Sequence, residues 1–117
     1  MLALGLATKI HLAAGTTDLR KGMNGLHALI EREHPGQALG GHLFIFCNRR
    51  RDTIKVFIYD GTGLWLCAKR LEKGTYHWPK TAAQPLQLTH PQLQLLLNGI
   101  DLANTKNRNW WSPLPQK

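Results

Sequence analysis

The apolar positions of this chain form short runs in its middle and recur at helical spacing on either side. His42–Cys47, Ile54–Tyr59 and Leu64–Leu71 are rich in β-branched and aromatic residues, and each run is too short for an ordinary helix. Asp60-Gly61-Thr62-Gly63 separates the second run from the third and supplies the glycines of a tight turn. The middle of the chain is therefore predicted to form antiparallel strands joined by hairpins.

The turns between these runs determine which residues face one another. A two-residue turn at Arg50-Arg51 would place Cys47 opposite Ile54, and the glycine turn would place Val56 opposite Cys67. Both faces of such a sheet are apolar over much of their length, so helices, chain termini or a partner must cover them. The two cysteines would share a face but lie two strands apart, about 10 Å, which is too far for a disulfide.

The first helical pattern follows Gly15-Thr16. Thr17 or Asp18 is predicted to cap its N-terminus, and His34-Pro35-Gly36 ends it. Gly22 and Gly25 lie inside the pattern, although glycine weakens a helix. They indicate either close packing against the sheet or a distorted first turn.

The second helical pattern begins at Thr89-His90-Pro91-Gln92, where Thr89 and Gln92 are spaced as a capping box. Lys9–Ala14 is predicted to be a short strand and Thr75–Trp78 a fourth strand of the meander. Strand position makes Trp65 and Trp78 candidate core residues.

These elements predict an α+β fold, with an antiparallel meander sheet of about four to six strands and two main helices. Residues 1–103 are expected to form a single domain. Residues 104–117 are expected to form an irregular tail, in which Trp110 and Trp111 accompany basic residues.

The charge of the chain favours an anionic partner. Fifteen lysines and arginines against seven acidic residues give a net charge of +8. A nucleic acid would satisfy this charge, although a basic surface can also be merely solvated. The residues predicted to contact DNA phosphates surround the hairpins and the first helix start: Arg49, Arg50, Arg51, Lys55, Lys69, Arg70 and Lys73, with Arg20 and Lys21 possible additions.

Catalytic and metal-binding patterns find little support in the sequence. The six histidines never fall at the spacing of a helical zinc pair, and the chain has no glycine-rich phosphate loop and no nucleophile elbow. We therefore expect no metal, no cofactor and no catalytic residue. Paired carboxylates could still hold the metal ions of a nuclease, and the candidates are Asp18, Asp52, Asp60, Glu72 and Asp101. Capping and turn roles account for the first three.

Several blocks of the sequence, taken together, resemble a known family. They include Thr-Asp-Leu-Arg-Lys-Gly at 17–22, Phe-Cys-Asn-Arg-Arg-Arg-Asp at 46–52, Tyr-Asp-Gly at 59–61 and Lys-Arg-Leu-Glu at 69–72. In order and spacing they are similar to the TnpB, or Orf2-like, accessory proteins of insertion sequences of family sixty-six, which are unrelated to the RNA-guided nuclease also called TnpB. Besides the basic residues named above, the motif positions are Thr17, Asp18, Gly22, Asp52, Asp60, Gly61, Leu71 and Trp78.

The resemblance implies a bacterial protein that assists transposition beside a separate transposase. It carries over no catalytic residue. The absence of a predicted disulfide fits a reducing cytoplasm. Direct DNA contact is the first hypothesis for the biochemical role, docking onto the transposase without DNA contact is the alternative, and a metal-dependent nuclease is a weaker third. No stretch has the eighteen or so apolar residues of a membrane span, so no membrane association is expected. The sequence leaves the oligomeric state open.

Overall fold

The described part of the chain forms one five-stranded sheet flanked by helices. The computed structural model describes residues 8–79 and 86–98. The strands are β1 (Ile10–Leu12), β2 (Leu43–Cys47), β3 (Thr53–Tyr59), β4 (Leu64–Arg70) and β5 (Leu86–Leu88), and the helices are a 3₁₀ helix (Leu19–Lys21), α1 (Gly22–Glu33) and α2 (His90–Leu97).

The sheet is mixed, with the strand order β4-β3-β2-β1-β5. Three neighbouring pairs are antiparallel, whereas β1 runs parallel to β2. The α+β class and the strand number are confirmed, but the prediction of a purely antiparallel meander is wrong. The 3₁₀ helix and α1 lie between β1 and β2, and such a crossover returns the chain to the end of the sheet where it began, which makes the two strands parallel.

The predicted register of the hairpins is confirmed. Cys47 pairs with Ile54, and Val56 pairs with Cys67. The first reversal is wider than the predicted two-residue turn, because Asn48 N–H donates to Thr53 O at 3.0 Å and so closes a four-residue loop, residues 49–52, between β2 and β3. The predicted two-residue turn and the observed four-residue loop are both centred on Arg50 and Arg51, so the strand register is the same in both.

Helices and loops cover both faces of the sheet, as its apolar composition requires. Leu26 and Ile30 of α1 pack with Phe44, Phe46 and Phe57 on one face. The other face carries the second cluster, which combines strand residues with α2 and the segment after β4: Ile10, Leu12, Leu43, Ile45, Cys47, Ile54, Ile58, Tyr76, Trp78, Leu88, Leu93 and Leu96. We call these the α1 face and the α2 face.

The first helix begins in two steps. Asp18 caps the 3₁₀ helix, since its side chain accepts a hydrogen bond from the backbone N–H of Arg20 at 3.0 Å. Gly22 then has φ of 73°, a left-handed value that glycine adopts without strain, and α1 begins there. Of the two alternatives predicted from the glycines, the structure has the distorted first turn. The predicted cap is displaced, because Asp18 caps the 3₁₀ helix, whereas Lys21, the N-cap of α1, makes no side-chain capping bond.

Two predictions for the segment after β3 are wrong. Thr75–Trp78 is not a strand, because the backbone bond from Tyr76 N–H to Arg51 O at 2.6 Å joins it to a loop instead of a neighbouring strand. Trp78 is nevertheless buried, and its indole N–H donates to Ala13 O at 2.8 Å. Trp65 is 48% exposed, because β4 is an edge strand and α2 does not cover it there.

Some predictions fall partly or wholly outside the described residues. The tail at 104–117, with Trp110 and Trp111, is one of them, and the domain boundary at residue 103 stays a prediction. Within residues 8–79 and 86–98, the helices are too short and insufficiently apolar to cross a membrane.

Replacing Thr89 by alanine should destabilise α2. The Thr89 hydroxyl accepts from Gln92 N–H at 3.2 Å, and the Gln92 side chain accepts from Thr89 N–H at 2.9 Å, which confirms the predicted capping box. Because an eight-residue helix has little stability of its own, we expect a loss of about 1 kcal/mol in the free energy of unfolding, measured by urea denaturation. Gln94→Ala, at an exposed position of the same helix, is the matched control and should change little. Equal losses in both variants would contradict the capping role.

The turn at Asp60 should make stability depend on pH. Its carboxylate accepts from Thr62 N–H, Gly63 N–H and the indole N–H of Trp65 at 2.6–3.0 Å, and these bonds lower the pKa of Asp60 from 3.8 to about 2. A carboxyl group whose pKa is lower in the folded state than in the unfolded state stabilises the fold at pH values above its unfolded pKa. This stabilisation is lost as the pH falls towards the folded-state pKa.

The stability difference between the wild type and Asp60→Asn should therefore be constant above pH 3.8 and shrink as pH falls to about 2. Urea midpoints across this range would measure it. The pKa values of Asp18 and Asp52 are also lowered, so only the difference between the two proteins is informative. A difference that does not change with pH would rule out the Asp60 bonds as its cause.

Candidate nucleic-acid interface

An open depression lies where the loop between β2 and β3 meets the segment that leads into the 3₁₀ helix. Its volume is about 820 Å³. We call it the basic basin. Its lining combines five cationic side chains with two carboxylates and several neutral polar groups: Thr16, Thr17, Asp18, Leu19, Arg20, Asn48, Arg49, Arg50, Asp52, Thr53, Lys55 and Arg70.

The loop that carries the arginines is held by Asn48. The Asn48 side-chain oxygen accepts from the backbone N–H groups of Asp52 and Thr53, both at 3.1 Å, and its amide nitrogen donates to the Asp52 carboxylate at 2.8 Å. Its backbone oxygen accepts from Arg51 N–H at 3.0 Å. These bonds hold the backbone of the loop. The side chains of Arg49 and Arg50 line the basin and are not needed to hold the loop.

Arg51 does not line the basin with its neighbours Arg49 and Arg50. Its φ of 60° is unusual for a residue with a side chain. It lines a second depression of about 240 Å³ together with Gly15, Thr16, Trp78 and Pro79. Thr16 lines both depressions, so they adjoin each other.

The sheet supplies the floor of the basin. Thr53 pairs with Arg70, and Lys55 lies two residues along the same strand, so all three side chains point to the α1 face. The Lys55 ammonium donates to Leu19 O at 2.9 Å. This bond ties the 3₁₀ helix to β3 across the basin, and Lys55 is therefore partly occupied by a structural role.

Arg20 comes to the basin from the 3₁₀ helix and is paired with Asp18. Its guanidinium donates two bonds to the Asp18 carboxylate, at 2.9 and 3.0 Å. The side-chain bond from Arg20 is the main reason that the pKa of Asp18 falls to about 2. Since both side chains are highly exposed, this pair adds little to stability but offsets most of the local positive charge of Arg20.

The charge of the basin remains positive. Five cations and two carboxylates leave an excess of three positive charges. Asp52 stays ionised, because hydrogen bonds from Asn48 and Thr53 lower its pKa. Within the described part of the chain, no carboxylate lies within ion-pair distance of Arg49, Arg50 or Arg70. These three guanidinium groups are thus outside any described ion pair, although the charge of Arg50 contributes to the lowered pKa of Asp52.

Four of the residues predicted to contact DNA lie elsewhere. Lys69 neighbours Arg70 in sequence but points to the α2 face, where its ammonium donates to Leu97 O. Lys21 and Lys73 are exposed and do not line the basin, and Arg51 lines the adjoining depression. The basin thus unites Arg20, Arg49, Arg50, Lys55 and Arg70 out of the nine predicted residues.

The family-motif positions fall into two groups. Thr17, Asp18 and Asp52 line the basin itself. The others support the fold: Gly22 starts α1, Asp60 and Gly61 form the β3–β4 turn, Leu71 packs on the α2 face, and Trp78 lines the smaller depression.

Sequence reasoning missed the neutral part of the basin. Thr16, Asn48 and Thr53 line it but carry no charge, so the search for basic residues passed over them. The position of Asn48 between a buried strand and three arginines was the available signal, since asparagine is favoured where a side chain must bond a turn.

Metal binding has no geometric support in the described ranges 8–79 and 86–98, where no three or more His, Cys, Asp or Glu side chains cluster as ligands could. In the basin, Asp18 and Asp52 are engaged by protein donors. The arrangement suits binding of an anion by guanidinium, ammonium, hydroxyl and amide groups.

Comparison with known proteins agrees with the sequence blocks described above. A family model described as IS66 Orf2 like protein matches residues 8–107. The uncharacterized protein y4hO of Sinorhizobium fredii (strain NBRC 101917 / NGR234) is 33% identical over 113 residues, which cover 97% of this chain and 96% of the relative. The uncharacterized protein y4jC of the same strain is 30% identical over 108 residues, 92% of each chain. No solved structure matches this chain. The chain therefore belongs to the IS66 Orf2-like protein family, whose members are encoded by insertion sequences.

Proposed function

We propose that this protein is a non-catalytic accessory factor of transposition that binds DNA phosphates in the basic basin. Membership of an insertion-sequence family supports the transposition context. The observation that carries the DNA contact is the convergence of five cationic side chains, contributed by the 3₁₀ helix, the 49–52 loop, β3 and β4, on one open depression.

The chemistry of the lining favours phosphate groups. Guanidinium groups match the geometry of phosphate oxygens and donate to two of them at once. Hydroxyl groups of Thr16, Thr17 and Thr53 and the backbone around them are further donors of the kind that position a nucleic-acid backbone. A concave site with cations on several walls can surround the ridge of phosphates that a DNA backbone presents.

The same lining argues against reading of a base sequence. The residues that form the basin include no aromatic ring on which a base could stack. Phosphate contacts position a protein on DNA without carrying sequence information. The basin should therefore bind DNA of different sequences with similar affinity, and choice of the element ends would belong to another protein, such as the transposase.

The carboxylates of the basin support a non-catalytic role. Asp18 is bonded to Arg20, and Asp52 to Asn48 and Thr53, at 2.8–3.0 Å. A metal-dependent nuclease needs carboxylates that are available to hold metal ions near the scissile phosphate.

Removing three basin cations should flatten the salt dependence of DNA binding. For Arg49→Ala/Arg50→Ala/Arg70→Ala we expect the slope of log K against log salt concentration on duplex DNA to fall by about 2.7, since each phosphate contact contributes about 0.9. Fluorescence anisotropy with a labelled duplex at several salt concentrations would measure the slope.

The matched control for this experiment removes the same charge elsewhere. Lys9→Ala/Arg32→Ala/Lys73→Ala changes three exposed cations that do not line the basin, and it should leave the slope nearly unchanged. Equal effects of the two triple variants would show that net charge, not the basin, binds DNA. If the wild type does not bind DNA but co-purifies with the transposase at high salt, the protein-docking alternative replaces this proposal.

A nicking assay tests the absence of catalysis. The purified protein, incubated with supercoiled plasmid and either magnesium or manganese, should leave the plasmid supercoiled at protein concentrations that saturate DNA binding. Asp18→Ala and Asp52→Ala are the variants for comparison. Nicking by the wild type that either substitution abolishes would establish the nuclease alternative.

A further inference from the structure

The seven-residue strand β4 is an open edge of the described sheet. It pairs with β3 on one side, and the strand order places no described strand on the other. Five of its seven residues are exposed, namely Trp65, Cys67, Ala68, Lys69 and Arg70. A long open edge presents unpaired N–H and C=O groups on which another strand can pair.

The hydrogen-bond pattern shows which groups point outward. Asp60 N–H donates to Gly63 O, and Leu71 N–H donates to Asp52 O. Bonded pairs recur at every second residue of an antiparallel ladder, so the odd-numbered residues of β4 bond to β3. The even-numbered residues, from Leu64 to Arg70, therefore direct their backbone groups to the open side.

We propose that this edge binds the same edge of a second copy of the chain, with the two β4 strands antiparallel and Cys67 opposite Cys67. This register is the only two-fold arrangement that pairs all seven residues, because Cys67 is the midpoint of the strand. It lets the outward backbone groups of Leu66 and Ala68 bond to each other across the interface, and those of Leu64 and Arg70 do the same.

Charge disfavours one alternative register of the two strands. With Cys67 at the centre, Lys69 of each copy lies opposite Trp65 of the other, so the Lys69 ammonium, which donates to Leu97 O of its own chain, meets no like charge across the interface. A register centred on Lys69 would instead place two lysines opposite each other. Charged residues on edge strands commonly restrict pairing in this way. The pairing would also cover Trp65, which is 48% exposed in the single chain.

Pairing by this edge would place two basins on one surface. A two-fold axis perpendicular to the sheet keeps both α1 faces on the same side. Arg70 of one copy lies opposite Leu64 of the other, so the two Arg70 residues are separated by six positions, or about 20 Å along the strands. The use of this pair of sites for DNA rests on the proposed function, whereas the pairing itself does not.

Cysteine cross-linking tests the register. Opposite residues at a non-bonded position of an antiparallel pair have Cα atoms about 4.5 Å apart, within the range of a disulfide. Diamide, which takes two electrons and two protons from a pair of thiols, should convert the full-length protein into a covalent dimer on a non-reducing gel. Cys67→Ser should lose the dimer. Cys47→Ser should keep it, because Cys47 is buried and burial raises its pKa to about 12.

Proline tests the backbone contact without cross-linking. Ala68→Pro removes an N–H that points outward, which an edge strand tolerates, while the ladder to β3 keeps its bonds. In sedimentation experiments the wild type should have twice the 13.2 kDa mass of one chain, Ala68→Pro should have the mass of one chain, and the control Ala68→Val should match the wild type.

Amide exchange keeps the proposal testable if the proline variant fails to fold. In the wild type, exchange of the Leu66 and Ala68 N–H groups should slow as protein concentration rises. A wild type that is monomeric throughout, with no cross-link at Cys67, would overturn the proposal, and so would a dimer that a folded Ala68→Pro variant leaves intact. A folded monomeric Ala68→Pro variant should still bind DNA in its basin, so loss of the dimer and loss of DNA binding are separable.

Discussion

The register of β2, β3 and β4 is the constraint on which the rest of the structure depends. Side chains of a strand alternate between two faces, so a shift of one residue would exchange the faces of every side chain. The observed register sends Phe44, Phe46 and Phe57 under α1 and leaves Thr53, Lys55 and Arg70 on the same face beyond the helix. The same strand register therefore determines both the hydrophobic core and the floor of the basin. Burial of the aromatic residues secures this register, because the opposite register would expose them to water.

Local hydrogen bonds then determine which basic groups remain available. Asn48 holds the loop with its own side chain, and Lys55 holds the 3₁₀ helix through Leu19 O. Arg20 is engaged by Asp18. These interactions use part of the positive charge to build the basin, while Arg49, Arg50 and Arg70 belong to no described ion pair. A rigid loop with free guanidinium groups loses less conformational entropy when it binds an anion than a flexible basic segment would.

The open edge of β4 and the basin share one strand but use different parts of it. Arg70 contributes its side chain to the α1 face, whereas its backbone groups point to the open side. Pairing of two edges would therefore leave each basin accessible. Because strands in an antiparallel pair run in opposite directions, the two basins would lie at opposite ends of the joined strands. The antiparallel pairing that would form the dimer thus also separates its two basins.

The sequence by itself determined the elements whose signals are local. The capping box at Thr89, the Asp60 turn, the glycine break at the start of α1 and the hairpin register follow from residue types and spacing. Tertiary structure decided what local patterns do not encode. The parallel pairing of β1 with β2 depends on the path of the chain between them, and the exposure of Trp65 depends on which strand ends the sheet. The division of the basic residues was decided in the same way: Arg70 and Lys69 are adjacent in sequence, yet strand alternation and the packing of α1 and α2 send one to the basin and the other to the opposite face.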